Sequence, residues 1–319
     1  MKKVVFINGG GERVADIFKE HIPAGFQAVI LPKEAAEAEQ AAALREAEYL
    51  VLHPAVLSDA LLKQASSLKL LQLLTAGYDK INLALCRDLH LPVATNGGAN
   101  SWSVAEHSVA MLLAIYRRLV DGDRATRDGS WRKPLPEFTT FELAGKTVGV
   151  LGSGNIGRKA AQRYRAFETN ILYYDLHGSD FMEQELQARK ASLEEIVREA
   201  DILSVHLPLL EETRGLLGPE EFALMKPGLV IINTSRAEII DQRTLLSALQ
   251  QKKIRAAGLD VFEQEPIAEN DPLLKLSNVL LSPHMAGHSA EGWTRRVRFA
   301  WENIQSLDEG KELRSLVRN

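Results

Sequence analysis

Short apolar runs alternate with amphipathic helical stretches along most of the chain. Residues 4–8, 27–31, 49–53, 68–74 and 93–95 read as strands. Helices are predicted between them, from 33 to about 46 and from 58 to about 64. After a polar interval the alternation resumes, with strands at 146–151, 171–174, 202–206, 229–233, 256–261 and 279–281. Helices at 155–167 and 242–251 belong to this second series, and Ser192-Leu193-Glu194-Glu195 is a capping box that opens another. Alternation of this kind predicts α/β architecture, with parallel sheets covered by helices on both faces. A long helix over 101–120, with Val104, Ala105, Ser108, Met111, Leu112 and Ile115 on one face, reads as the crossing between the two series. Residues 121–136 read as a polar loop anchored by Trp131, and a final amphipathic helix spans about 290–307.

The 319 residues suffice for two domains. Hydrophobic residues make up 45% and charged residues 25%, the balance of ordinary globular chains. A net charge of −4 offers no basic field to nucleic acid or an anionic membrane. The apolar start at Val4-Val5-Phe6-Ile7 stops at Asn8-Gly9-Gly10-Gly11, too soon for a signal peptide. Cys86 is the single cysteine, which excludes an intrachain disulfide. A cytoplasmic protein that needs neither metal nor membrane is the expectation.

Two glycine-rich turns follow strands. Gly9-Gly10-Gly11 lacks the third glycine, since Val14 holds the sixth position, and it reads as a plain turn. Gly152, Gly154 and Gly157 have the full G-x-G-x-x-G spacing between an apolar strand and a helix. The first glycine permits the tight turn, the second lets backbone approach a pyrophosphate, and the third lets helix and strand pack closely. The helix start at Asn155 then offers N–H groups and a positive dipole end to the anion. Asp175 ends the next strand, 18 residues after Gly157, where an acid meets the adenosine ribose. A carboxylate there repels a 2′-phosphate, which points to NAD rather than NADP.

Three polar side chains fall just beyond strand ends in the second series: Arg236, Glu265 and His284. Ligands of open α/β sheets bind at such carboxyl ends. Arginine matches a carboxylate as a planar fork. Histidine delivers or accepts a proton near neutrality, and an adjacent carboxylate stabilises its imidazolium. In the first series the turn Thr75-Ala76-Gly77-Tyr78-Asp79 follows a strand, and the N–H groups of Ala76 and Gly77 suit a carboxylate. An ordinary glycine turn explains that segment equally well.

These residues sit in segments that resemble the D-isomer-specific 2-hydroxyacid dehydrogenases. The matching stretches are residues 97–106 (GGANSWSVAE), the glycine turn, 206–215 (HLPLLEETRG), 225–241 (MKPGLVIINTSRAEIID), 258–266 (GLDVFEQEP) and 278–287 (NVLLSPHMAG). Glu265 lies 29 residues after Arg236, and His284 lies 19 after Glu265. The resemblance implies two Rossmann-like or flavodoxin-like domains with the active site in a cleft between them. Residues 1–99 with 288–319 would form the substrate domain and 100–287 the dinucleotide-binding domain. Arg236 would bind the substrate carboxylate and carbonyl, His284 would be the acid/base, and Glu265 would pair with it. Asp260 would hold the nicotinamide carboxamide, and Asn155 and Ile156 the pyrophosphate. Leu207, Pro208 and Thr213 would line the adenosine and pyrophosphate side; Thr234 and Ser235 would flank the nicotinamide. Ala76 and Gly77 would supply the N–H cradle, and a homodimer is implied.

Two departures from the family pattern are visible. Ala237 follows Arg236 where glycine is usual, and Lys80-Ile81-Asn82 stands where Asn-Ile-Asp is common. Lys80 would either favour a more acidic substrate or face solvent. No C-terminal regulatory extension of the kind some phosphoglycerate dehydrogenases carry is expected. The expected reaction is NAD-dependent interconversion of a small 2-oxo acid, of glyoxylate or hydroxypyruvate type, with its D-2-hydroxy acid. The alternatives are 3-phosphoglycerate oxidation and a non-enzymatic, NADH-binding corepressor role.

Overall fold

Each predicted apolar run forms a strand, and every pairing between the strands named below is parallel. The structure is a computed structural model that describes residues 1–131 and 139–317. The chain divides into two units, Met1–Asn100 with His288–Asn319, and Ser101–Gly287.

The first unit holds β1 (Lys2–Asn8), β2 (Phe26–Pro32), β3 (Tyr49–His53), β4 (Leu70–Leu73) and β5 (Val93–Ala94), in the order β2-β1-β3-β4-β5. The central strands carry near-continuous apolar runs because both faces are covered, with Gln72 of β4 a buried polar exception, its amide donating to the Thr95 carbonyl at 2.9 Å. Val5, Ile7, Leu50, Leu52, Leu71 and Leu73 pack to one side. Val4, Phe6, Tyr49, Val51 and Leu70 pack to the other, against Trp293, Val297, Ala300, Trp301 and Ile304 of helix Ala290–Asp308. That helix buries residues three and four apart, so one stripe meets the sheet. Leu316 forms an antiparallel bridge to Ala94 on the edge strand.

The second unit holds β6 (Thr147–Leu151), β7 (Asn170–Tyr174), β8 (Arg189–Lys190), β9 (Ile202–Val205), β10 (Val230–Asn233), β11 (Ala256–Leu259) and β12 (Val279–Leu281). The order β12-β11-β10-β9-β6-β7-β8 reverses direction at β6. A crevice therefore opens beyond the carboxyl ends of β6 and β9, the topological switch point at which such sheets bind ligands. Val148 and Val150 face one core, and Leu151 faces the other with Leu203 and Val205.

Three expectations need correction. The helix predicted over 101–120 ends at Arg117, because Arg118 adopts a left-handed φ of 50°. A second helix, Leu119–Arg127, occupies the stretch read as a loop, laced by an Arg127–Asp123 ion pair one turn apart. Trp131 is 65% exposed, so it is not a buried anchor among the described residues, and residues 132–136 of that expected loop lie outside them. Short elements that periodicity does not reveal include helices Leu83–Asp88 and Pro219–Leu224 and strand β8.

Candidate active site

The three motif glycines meet three different surroundings. Gly152 has a φ of +100°, and a Cβ there would stand 2.8 Å from the His206 carbonyl at the end of β9. At Gly157 a Cβ would stand 1.8 Å from the Gly152 carbonyl oxygen, so nothing larger than glycine fits. Gly154 has no atom within 4 Å of that position. The middle glycine therefore faces open space directly before helix Asn155–Arg165, whose start carries no side-chain cap and no acidic residue. Backbone N–H groups and the positive helix end are left to an anion.

Asp175 stands at the end of β7 and closes on the same turn. Its carboxylate accepts from the Ser153 N–H at 2.7 Å and the Ser153 hydroxyl at 2.9 Å, with the His177 N–H at 3.3 Å. Burial opposes ionisation, but these hydrogen bonds outweigh it and hold the carboxyl below the usual carboxylate range. Ser153, which sequence reasoning passed over, thus ties the glycine turn to the acid.

His206 begins the segment after β9. Its Nε2 bonds the Ser204 hydroxyl at 2.8 Å, and Ser204 meets Tyr164 at 3.0 Å. Burial alone drives its pKa down to about 3, so the ring is neutral. Leu207 is buried, and its carbonyl accepts from the Ser235 hydroxyl at 2.8 Å. The Thr213 hydroxyl donates to the Pro208 carbonyl at 2.7 Å and accepts from the Leu210 N–H, which closes the 208–213 loop. The Thr234 hydroxyl lies 2.9 Å from that of Ser108. The proton of Ser108 goes to the Val104 carbonyl, so Thr234 is the donor.

Arg236 follows β10 in extended backbone conformation. Asn233, almost fully buried, builds the turn that presents it, accepting from the Ser235 N–H at 3.0 Å and donating to the Arg236 carbonyl at 2.8 Å. One guanidinium nitrogen donates to the Ser235 carbonyl at 2.8 Å.

Glu265 and His284 meet. The His284 Nδ1 lies 2.7 Å from Glu265 Oε2, and Glu265 Oε1 accepts from the Phe262 N–H at 3.1 Å. An ionised carboxylate only accepts, so Nδ1 carries the proton in this bond and Nε2 is left as the working nitrogen. The His284 side chain is 48% exposed, open to an incoming molecule.

Asp260 is fully buried. Oδ1 accepts from the Ser282 hydroxyl at 2.5 Å and the Met285 N–H at 2.9 Å, and Oδ2 accepts from the Ala286 N–H at 2.8 Å. Its visible work is to hold the turn that carries His284. Ala76 and Gly77 belong to the first unit, in a turn after β4 where the Thr75 hydroxyl donates to the Gly77 carbonyl at 2.8 Å. Lys80 is exposed. Among the described residues, no cluster of three or more His, Cys, Asp or Glu is placed to hold a metal. Among them too, no helix is long and apolar enough to cross a membrane.

The family model for "D-isomer specific 2-hydroxyacid dehydrogenase, NAD binding domain" matches residues 109–286. A glyoxylate reductase of Aeropyrum pernix is 38% identical over 262 residues, which are 81% of this chain and 78% of that protein. A D-3-phosphoglycerate dehydrogenase of Archaeoglobus fulgidus is 33% identical over 80% of this chain, which spans about half of that longer protein, 48%. Among solved structures, the apo form of D-lactate dehydrogenase from Escherichia coli superimposes with a TM-score of 0.82 at 28% identity, with all of both chains covered.

Proposed function

Because the chain belongs to the D-isomer-specific 2-hydroxyacid dehydrogenase family, we propose that its reaction turns on His284 and Glu265, with glyoxylate or hydroxypyruvate as the 2-oxo acid. The activity itself is that of the family, NAD-dependent interconversion of a 2-oxo acid and its D-2-hydroxy acid. The observation that carries the proposal is the 2.7 Å bond between His284 and Glu265, beyond the carboxyl ends of the sheet that also bears the glycine turn.

The residues present fit NAD. Gly154 leaves room at an uncapped helix start, and Asp175 stands at the end of the next strand. Gly152, Gly154, Asn155, Ile156 and Gly157 hold the pyrophosphate by backbone, and Asp175 takes the ribose hydroxyls. Leu207, Pro208, Thr213, Thr234 and Ser235 line the remainder. Bound NADH supplies the hydride.

Arg236 holds the substrate carboxylate and polarises the adjacent carbonyl through its planar fork. The His284 Nε2 proton passes to the carbonyl oxygen as that oxygen gains negative charge. Glu265, bonded to Nδ1, fixes the tautomer and stabilises the imidazolium before transfer. Asp260 keeps the turn in place from below. The same reading places the protein in the cytoplasm as a homodimer, which sedimentation of the purified chain tests.

NADH consumption with a panel of 2-oxo acids tests the whole proposal. Turnover with glyoxylate or hydroxypyruvate is the expected result. Turnover restricted to 3-phosphohydroxypyruvate moves the substrate to the phosphoglycerate class. Tight NADH binding with no oxidation by any acid contradicts the enzymatic reading and favours a binding role.

A further inference from the structure

His284 sits at a φ of +50°, a left-handed conformation that a side chain-bearing residue adopts at about 1 kcal/mol or more. Something must hold it there. The residue before the preceding proline, Ser282, and the two residues after it, Met285 and Ala286, all bond the Asp260 carboxylate. The His284 N–H donates to the Ser282 carbonyl at 3.0 Å. The turn is thus clamped on one buried anion, and the position of that anion decides where the imidazole stands.

The clamp extends to the helix whose Ser108 meets Thr234. On helix Ser101–Arg117, His107 places Nε2 2.9 Å from the Ser282 hydroxyl and 3.7 Å from Asp260 Oδ1. The proton assignments follow from the acceptors. Asp260 only accepts, so the Ser282 hydroxyl proton lies toward Oδ1, 2.5 Å away. The hydroxyl oxygen then accepts, and His107 donates through Nε2–H. This donor strengthens the hydroxyl as a donor in its turn and brings a partly positive ring edge to an otherwise costly buried carboxylate.

We propose that His107 is a positioning residue for His284, acting through Ser282 and Asp260. It touches neither substrate nor the His284 ring. Its donor fixes the Ser282 rotamer, Ser282 and the two amides fix Asp260 against the turn, and the turn sets His284 over Glu265. The proposal rests on His284 as the acid/base. Loss of the His107 donor lets the turn relax from its left-handed φ and carries the imidazole off line.

The test uses the full-length chain with His107→Leu, His107→Gln, Ser282→Ala and the Leu/Ala double variant. Turnover, the Michaelis constant for the oxo acid and the NADH dissociation constant by fluorescence titration are measured for each. A misplacement of about 1 Å predicts a kcat loss of roughly 10- to 100-fold for His107→Leu, with the Michaelis constant and NADH affinity within about twofold of the parent. Gln presents an amide N–H near the Nε2 position, so His107→Gln recovers most of the rate. Ser282→Ala loses as much as His107→Leu, and the double variant loses no more than either. A folded His107→Leu with parental kcat overturns the proposal. So does a rate loss matched by equal loss of NADH affinity, or a His107→Gln no faster than the Leu variant. If the Leu variant fails to fold, the Gln variant and Ser282→Ala decide, since a parental kcat in Ser282→Ala is contradictory by itself. His284→Ala runs alongside: full turnover in that variant refutes the acid/base role independently of His107.

Discussion

The chain builds a strand–glycine–helix turn twice, once in each unit, and only the second is left open. After β1, the Asn8 side chain fills the turn: its oxygen accepts from the Gly10 N–H and its amide donates to the Gly11 carbonyl, both at 2.8 Å. The Gly9 N–H is taken by the His53 carbonyl, and a Cβ at Gly9 would run into Lys33 and Pro54. The following helix opens with Glu12, a negative charge where an anion would have to sit. After β6, by contrast, no side chain reaches Gly154, and the helix opens on Asn155 without an acid. Ser153 directs its N–H and hydroxyl sideways to Asp175. The lesson is that glycine spacing prepares a phosphate site only if neighbouring side chains decline to fill it. Helix-dipole attraction is worth about 0.3–1 kcal/mol, small enough for one adjacent carboxylate to cancel.

The largest effect that would break this contrast comes from a pair of substitutions. Gly157→Ala drives a methyl into the Gly152 carbonyl and should weaken NADH about 100-fold or more, with roughly 1–3 kcal/mol lost from stability. Gly11→Ala meets no neighbour and has only its φ of +81° to oppose it, about 1 kcal/mol, with NADH affinity unchanged. Calorimetric titration and denaturant melts check both; equal NADH loss in the two would erase the distinction.

A second contrast lies in acid sensitivity. The folded second unit holds His206 neutral, with its pKa near 3 against an ordinary value of 6.5. The unfolded chain therefore binds a proton that the folded state refuses, and stability falls as pH drops from about 6.5 toward 3. At pH 5 the loss is roughly 1–2 kcal/mol. Segment-resolved hydrogen exchange at pH 7 and pH 5 should show β6–β12 losing protection before β1–β5, and His206→Asn should flatten the trend. Uniform loss across both sheets contradicts the assignment.

Asp175→Ala should narrow the preference for NADH over NADPH by about tenfold, equivalent to 1.4 kcal/mol. Titration with both cofactors checks this, and an unchanged ratio means another residue reads the ribose. The smallest effect sharpens the comparison most: Asn155→Asp gives the open turn the acidic start of the closed one. NADH affinity should fall a few-fold at low ionic strength and recover partly in salt.

Much of this was legible before any coordinates. The parallel α/β order follows from period and turn residues, and the G-x-G-x-x-G turn lies where its spacing put it. Glu265 and His284, 19 residues apart, do meet. What escaped has physical reasons. Arg118 ends a helix that the apolar Leu119 and Val120 make look longer, because a left-handed residue leaves no mark in hydrophobicity. Leu119–Arg127 buries only Ala125 fully, so it has no apolar stripe to read. The hydrogen bonding of Asp260 to the turn after β12 depends on two backbone N–H groups 25 and 26 residues away, which no spacing rule encodes. His107 sits one residue beyond the segment that carried the family resemblance and reaches Ser282 across 175 positions.

The central claim is that hydride and proton reach the same carbonyl at the edge of the second sheet, the proton from His284. Incubation of hydroxypyruvate with NADH dideuterated at C4 tests it most directly, with the product resolved by enantiomer and mass. The account predicts deuterium on C2 of the D-hydroxy acid, and a rate at least 100-fold lower in His284→Ala at full NADH occupancy. Deuterium absent from C2, an L product, or undiminished transfer in His284→Ala would contradict it.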